Sequence, residues 1–268
     1  MDVGGPGVPH IALHRHLEAA PHVGERIETG GNRIMSLRSV AKDLISPHPW
    51  LFLPLYRLFG KPHIKAMLIA DRTDIVIEGF PRSANTFAAL AFLSSQKTAR
   101  SLAHHLHSEA QILEGVRRGV PCVALIREPE EAIRALKFAF PAYDENCALK
   151  RWIRFYEGIS RVRDRVVIAD FNTVTKDFGS VIADVNGKFG TAFDIFDGEE
   201  GGSEQVLGLI SDLDRKTGGS LGAAGAKPSE EKARQKKKIA LHFDAKALAK
   251  AQRIFADLTN RAVLPREA

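Results

Sequence analysis

Cysteine is scarce. The 268 residues hold two, Cys122 and Cys147, neither in a Cys-x-x-Cys or other zinc spacing, which argues against a disulfide framework and a cysteine-rich metal site. Long apolar runs are missing too: nothing approaches the roughly 18–20 residues needed to cross a bilayer, and the most apolar stretch, Trp50 to Tyr56, is interrupted by Pro54. No basic start followed by an apolar block opens the chain, so no signal peptide is visible and a cytoplasmic location is the default expectation. Aromatics make up only 7%, and no nucleic-acid motif accompanies them, so the excess of 38 basic over 32 acidic residues (+6) gives only thin support for a nucleic-acid partner. The excess does favour an anionic ligand. Gly at 22 and Pro at 13 are near average and exclude collagen-like and low-complexity classes.

What is present reads as one α/β domain over 35–268, after a leader, 1–34, rich in Gly and His that is expected to be disordered. His10, His14 and His16 lie in that leader without cysteines or a helical pattern to fix a metal geometry, and Met35 is an alternative start. Three short apolar runs, the β-branched Ile75–Ile77 and then Cys122–Ile126 and Val166–Ala169, have the look of buried parallel strands. Helical patterns alternate with them: Thr86–Leu93, a helix from Pro129, one over 145–162, and one from Phe178 to Phe189. Alternation at this spacing predicts a three-layer fold, a mostly parallel sheet with helices on both faces. Residues 197–228 are Gly-rich and are expected to form a lid or a disordered loop around a helical stretch, Glu204 to Lys216. Amphipathic patterning returns over Asp244–Asn260. The Trp50 run, flanked by Arg38, Lys42, Arg57, Lys61 and Lys65, either packs its apolar side on the domain or touches an anionic membrane surface; the first is the default.

The segment Ile77-Glu78-Gly79-Phe80-Pro81-Arg82-Ser83-Ala84-Asn85-Thr86-Phe87 is a strand, a tight turn and a helix start in sequence. Such a turn directs several backbone N–H groups into one concavity at the positive end of a helix, which suits a phosphate. Arg82 adds a fixed charge and Thr86 a hydroxyl. The nucleotide triphosphatase pattern G-x-x-x-x-G-K-[ST] is met at Gly79 and Thr86 but not at Ala84 and Asn85, which disfavours an ordinary ATP or GTP hydrolase.

Gly79 to Phe87 resembles the first phosphosulfate-binding motif of the sulfotransferases that use 3′-phosphoadenosine 5′-phosphosulfate, roughly G-x-P-[KR]-S-G-[TN]-[ST]-[WF], departing only at Ala84. The second motif of that family, R-[ND]-P-x-[DE] after a later strand, is similar to Arg127-Glu128-Pro129-Glu130-Glu131. The resemblance covers residues 74–195 and implies a P-loop-type sulfotransferase fold. It implies that Arg82, Ser83, Ala84, Asn85, Thr86 and Phe87 hold the 5′-phosphosulfate, with Arg82 catalytic, and that Arg127 binds the 3′-phosphate. It implies no metal, and a hydroxyl or amine acceptor on a carbohydrate, lipid or small metabolite. The family's histidine base falls in the His104-His105-Leu106-His107 interval; His105 is the first candidate, His107 the second, and Glu109 a carboxylate alternative.

The departures keep rival readings open. Ala135 replaces a serine that meets the 3′-phosphate in the family, with Arg134 beside it as a substitute or as a plain helix-face charge. Phe171-Asn172-Thr173-Val174 lacks the two acids expected after the third strand. The basic run from Lys227 to Lys238 either closes over the nucleotide or forms a solvated helix, the latter preferred. Ala84 would be strained if its φ were positive. The alternatives are a weak or inactive nucleotide-binding relative, and a P-loop phosphoryl transferase that requires Mg²⁺.

Overall fold

A computed structural model describes residues 42, 44–198, 201–216 and 228–260. The expected leader, the alternative start at Met35 and parts of the Gly-rich segment lie outside the described residues. Among the described residues, four strands form one parallel sheet: β1 (Ile75–Gly79), β2 (Leu102–His104), β3 (Cys122–Ile126) and β4 (Val167–Asp170), in the order β2-β1-β3-β4. All five residues of β1 and of β3 are buried, as expected of strands covered on both faces.

Side chains alternate across the pleat and so feed two separate cores. Val76, Cys122, Ala124 and Ile126 face a layer built by α1 (Pro49–Phe59), α4 (Glu109–Arg118), α5 (Pro129–Ala139), α6 (Glu145–Ser160) and α11 (Ala245–Asn260). Ile75, Ile77, Val123 and Leu125 face α3 (Asn85–Ser95), α8 (Phe178–Phe189) and α9 (Gly202–Lys216). This is the expected three-layer α/β architecture. Shorter helices among the described residues are α2 (Pro62–Ala66), α7 (Phe171–Lys176), α10 (Glu230–Lys237) and a 3₁₀ turn at Arg163–Arg165.

Local chemistry explains most boundaries. Ser108, Asp144, Asp170, Asp177 and Ser229 cap the helices that follow them. Gly119 and Gly190 close α4 and α8 in the left-handed conformation that glycine adopts without a Cβ clash. Pro54 does not break α1. It lies on the exposed side, where the Trp50 carbonyl deprived of its N–H partner is open to solvent. Strand β2 has only three residues and no apolar alternation, so its sequence gives little sign of it; it is held by pairing Leu102, Ala103 and His104 with Ile75, Val76 and Ile77.

The strand order positions the site. The chain leaves β1 to one side to form β2, then returns to the other side for β3. The direction therefore reverses between β1 and β3, and in open α/β sheets ligands bind at the carboxyl ends of the two strands flanking such a point. Gly79 and Ile126 end those strands, so the loop after Gly79 and the residue Arg127 meet there.

Candidate functional site

Gly79 pairs with Leu125 across the sheet, and a Cβ on it would sit 2.5 Å from the Leu125 carbonyl oxygen. Glycine here permits the close approach of β1 to β3. The next residues wind into a turn with Arg82 at φ 70° and Ala84 at φ 66°. Ala84 thus has the positive φ that its sequence context threatened, and it caps α3 without a side-chain hydrogen bond. The first bond into the helix runs from Ala88 N–H to Ala84 O. The N–H groups of Asn85, Thr86 and Phe87 therefore have no partner within the helix, which is the donor array of an anion site. Ser83 N–H is used inside the turn, donating to Phe80 O at 3.3 Å, and Asn85 Nδ2 donates to the same oxygen at 3.1 Å. Phe87 is an anchor, packing edge-on to Phe196.

Arg127 joins the two sequence motifs. Its Nη1 donates to Arg82 O at 3.1 Å, its Nη2 lies 3.5 Å from Glu131, and its guanidinium stacks 4.1 Å above the Phe171 ring. Trp152 Nε1 donates to Arg127 O at 3.2 Å, fixing the backbone from below. Tyr156 OH donates to Leu125 O at 2.7 Å and accepts from Phe80 N–H, so α6 braces both loops.

Four cations share this corner. Burial, then the Arg127 charge, depresses the pKa of Arg82, while Asp214 works against the shift. Burial likewise lowers Arg127, with Glu131 and Glu128 opposing. Lys236 on α10 is lowered by burial and by the charges of Arg127, Arg82 and Lys232, and Lys232 is lowered by burial and by Arg82. The arginines stay protonated in any case. The basic run is thus a largely exposed helix that turns Lys232 and Lys236 toward the two arginines. Arg134 is occupied elsewhere, bonded to Ile239 O and to Glu131, and Ala135 is buried in α5.

The histidines lie along the edge formed after β2. His105 Nε2 is 3.1 Å from Thr86 Oγ1, and His105 Nδ1 pairs with His104 Nδ1, so both its ring nitrogens are engaged. His107 Nδ1 faces Gly79 O at 3.0 Å; a carbonyl only accepts, so the proton is on Nδ1 and Nε2 carries the lone pair. Burial pushes His105 down to about 4 and His107 down to about 3. Both residues have positive φ, 59° and 50°.

Glu78, not singled out in the sequence, holds that strained turn. It is fully buried and accepts from Leu106 N–H at 2.7 Å, His107 N–H at 3.1 Å and Gln111 Nε2 at 2.9 Å. Burial raises its pKa to about 7. The one available signal was a carboxylate inside an otherwise apolar strand, Ile75-Val76-Ile77-Glu78. Beside His107, a narrow cleft with about 10 Å³ free, room for roughly one water, is lined by Ser46, Phe80, Glu109, Arg151, Arg154 and Phe155. Glu109, the alternative base, is only 2% exposed there and accepts from Ser46 Oγ at 3.0 Å. Asn172 stands in α7, whose cap is Asp170; an acid is thus present one residue before the stretch that lacks the expected pair.

No family model matches the chain, and no curated protein does. Among solved structures, the mouse sulfotransferase SULT7A1 complexed with PAP is similar at 11% identity, over 73% of this chain and 87% of that one, with a TM-score of 0.38.

Proposed function

We propose that the protein transfers a sulfuryl group from 3′-phosphoadenosine 5′-phosphosulfate to a hydroxyl or amine acceptor. The observation that carries this reading is the meeting of the Gly79–Phe87 turn and Arg127 at the reversal point of the sheet, with four cations around an uncapped helix N-terminus. The donor set fits a nucleotide bearing two separate phosphate groups. Ser83 Oγ is buried beside the Tyr156 hydroxyl without forming a good bond to it. An orphaned hydroxyl on a phosphate-type turn is a donor in search of an acceptor.

In this reading the N–H groups of Asn85 to Phe87 and the Ser83 hydroxyl hold the 5′-phosphate. Arg127, a planar fork, meets the 3′-phosphate. Arg82 stabilises the negative charge that grows on the leaving phosphate oxygen as the sulfur–oxygen bond breaks, and so favours the transition state over the ground state. Lys232 and Lys236 close the charge from above. His104 donating to His105, and His105 Nε2–H to Thr86 Oγ1, turns the Thr86 hydroxyl outward as a donor to the same phosphate. His107 is the better-placed base, because its Nε2 lone pair is left open by the Nδ1 bond to Gly79 O. It takes the acceptor's proton as the acceptor oxygen or nitrogen bonds to sulfur. The anionic donor beside it raises its proton affinity from the low value that burial sets.

Calorimetric titration with 3′-phosphoadenosine 5′-phosphate tests the reading, with ADP as control and Arg127→Ala as the matched variant. Binding much tighter than that of ADP and lost in the variant supports it. Equal binding of ADP, or no binding, overturns the 3′-phosphate assignment.

A further inference from the structure

Large apolar side chains exposed to solvent are concentrated in one place. Of the five among the described residues, Leu44 (68%), Trp50 (74%), Leu58 (68%) and Phe59 (77%) fall within sixteen residues, and only Ile195 lies elsewhere. Trp50, Pro54 and Leu58 recur every four residues and form the outer stripe of α1, while Phe52 and Leu53 fill the core from its inner side. Helix α1 is therefore apolar on the face that has no protein against it among the described residues. Isolated exposed apolar residues need no explanation, but a contiguous group does.

The charge around this face has one sign. Between Asp43 and Asp71 there is no acidic residue; Arg57, Lys61 and Lys65 are the charged ones, with His48 and His63 beside them. Arg57 is steadied by donating to Ile69 O at 2.8 Å and Lys65 by donating to Leu58 O at 3.2 Å, so both cations border the exposed stripe. An apolar wedge carrying Trp and Phe and rimmed by cations matches the layered chemistry of an anionic bilayer surface: acyl chains for the wedge, headgroup phosphates for the rim. A protein partner would need a complementary acidic rim around an apolar hollow. A second copy of this face would set like charges against each other.

We infer that α1 and α2 form a docking surface for an anionic lipid bilayer, with Trp50, Leu58 and Phe59 entering the interface and Lys61 and Lys65 meeting lipid phosphates. Three residues before α1, Ser46 donates to Glu109 in the wall of the cleft beside His107, so the docking face and the site wall are neighbours in the chain. The inference stands whether or not the sulfuryl-transfer reading holds.

The two tryptophans make the test direct, since Trp152 is fully buried and Trp50 is 74% exposed. The full chain is mixed with phosphatidylcholine vesicles with and without phosphatidylglycerol, and co-sedimentation and tryptophan emission are followed. The expected result is sedimentation with the phosphatidylglycerol vesicles and a blue shift of Trp50. Trp50→Glu with Leu58→Glu should weaken partition by about tenfold or more, as each removes a large exposed apolar side chain that would enter the bilayer. Lys61→Glu with Lys65→Glu should abolish the preference for phosphatidylglycerol, and circular dichroism should show both variants folded. Failure to sediment with phosphatidylglycerol vesicles overturns the inference, as does partition unchanged in the Trp50→Glu, Leu58→Glu variant. Concentration-dependent dimerisation by ultracentrifugation, lost in that variant, overturns it in favour of a second copy of the chain.

Discussion

The Arg127 guanidinium donates to the Arg82 carbonyl oxygen at 3.1 Å, so one cation of the site fixes the backbone of another. That geometry holds two positive charges close together, and Lys236 adds a third that is depressed by both. Asp214 and Glu131 offset only part of this charge, and Arg127, Arg82 and Lys232 each still lower the pKa of another cation. Lys236→Gln should therefore leave the melting temperature of the ligand-free protein unchanged or slightly raised, while weakening binding of 3′-phosphoadenosine 5′-phosphate by about five- to tenfold. Scanning calorimetry with and without the nucleotide measures both effects; a lower melting temperature without ligand would contradict the repulsion.

Glu78 supplies acceptors for two neighbouring backbone N–H groups, one on each carboxylate oxygen. Glu78→Gln replaces one of those acceptors with a donor, which must then face an N–H. We expect a loss of about 1–3 kcal/mol in urea unfolding. The turn that carries His105 and His107 should loosen, seen as faster amide exchange at Leu106 and His107. Unchanged stability would mean that the turn holds its positive φ values without the carboxylate.

The imidazoles and this carboxyl oppose one another with pH. His105 and His107 are held near 4 and 3, below their ordinary 6.5, so the unfolded chain takes up protons first and stability falls as pH drops below about 6.5. Glu78, raised to about 7 from 4.5, binds its proton more readily when folded and adds stability as pH falls from about 7 to 4.5. Burial also raises Glu128, which acts in the same direction as Glu78; the two imidazoles are displaced further, so the protein should lose stability between pH 6.5 and 4.5, before the salt-bridged carboxylates titrate. His105→Asn with His107→Asn should reverse that slope in urea midpoints taken across this range.

Gly79 and Ala84 should respond in opposite directions. The Cβ of Gly79→Ala would meet Leu125 O at 2.5 Å and Leu125 Cβ at 2.8 Å, forcing β1 and β3 apart; a loss of about 3 kcal/mol or more is expected. Ala84→Gly removes the left-handed penalty of about 1–2 kcal/mol, less the added freedom of the unfolded chain, about 0.4–1 kcal/mol. Thermal melts should place this variant slightly above the parent.

The layers of the fold, and the contiguous half of the candidate site, can be read from the sequence. Ile75–Ile77, Cys122–Ile126 and the run at Val166 read as buried strands, because apolar runs that short, set between helical patterns, suit a sheet covered on both faces. The helix from Phe178 to Phe189 was legible, since its ends are set by local chemistry: the Asp177 side chain caps its start and Gly190 closes it in the left-handed conformation. The turn from Gly79 to Phe87 was legible for the same reason: its chemistry is contiguous. Strand β2 was not, because three residues carry no period and its stability comes from pairing with β1. Nor was the role of Glu78, whose partners lie about thirty residues away and whose shifted pKa arises from burial. The strand order, the contact of Arg127 with Arg82, the engagement of both His105 nitrogens and the approach of Lys232 and Lys236 were decided by tertiary structure alone. Each depends on bringing distant segments to one edge of a sheet, and a spacing along the chain holds no information about which edge that is.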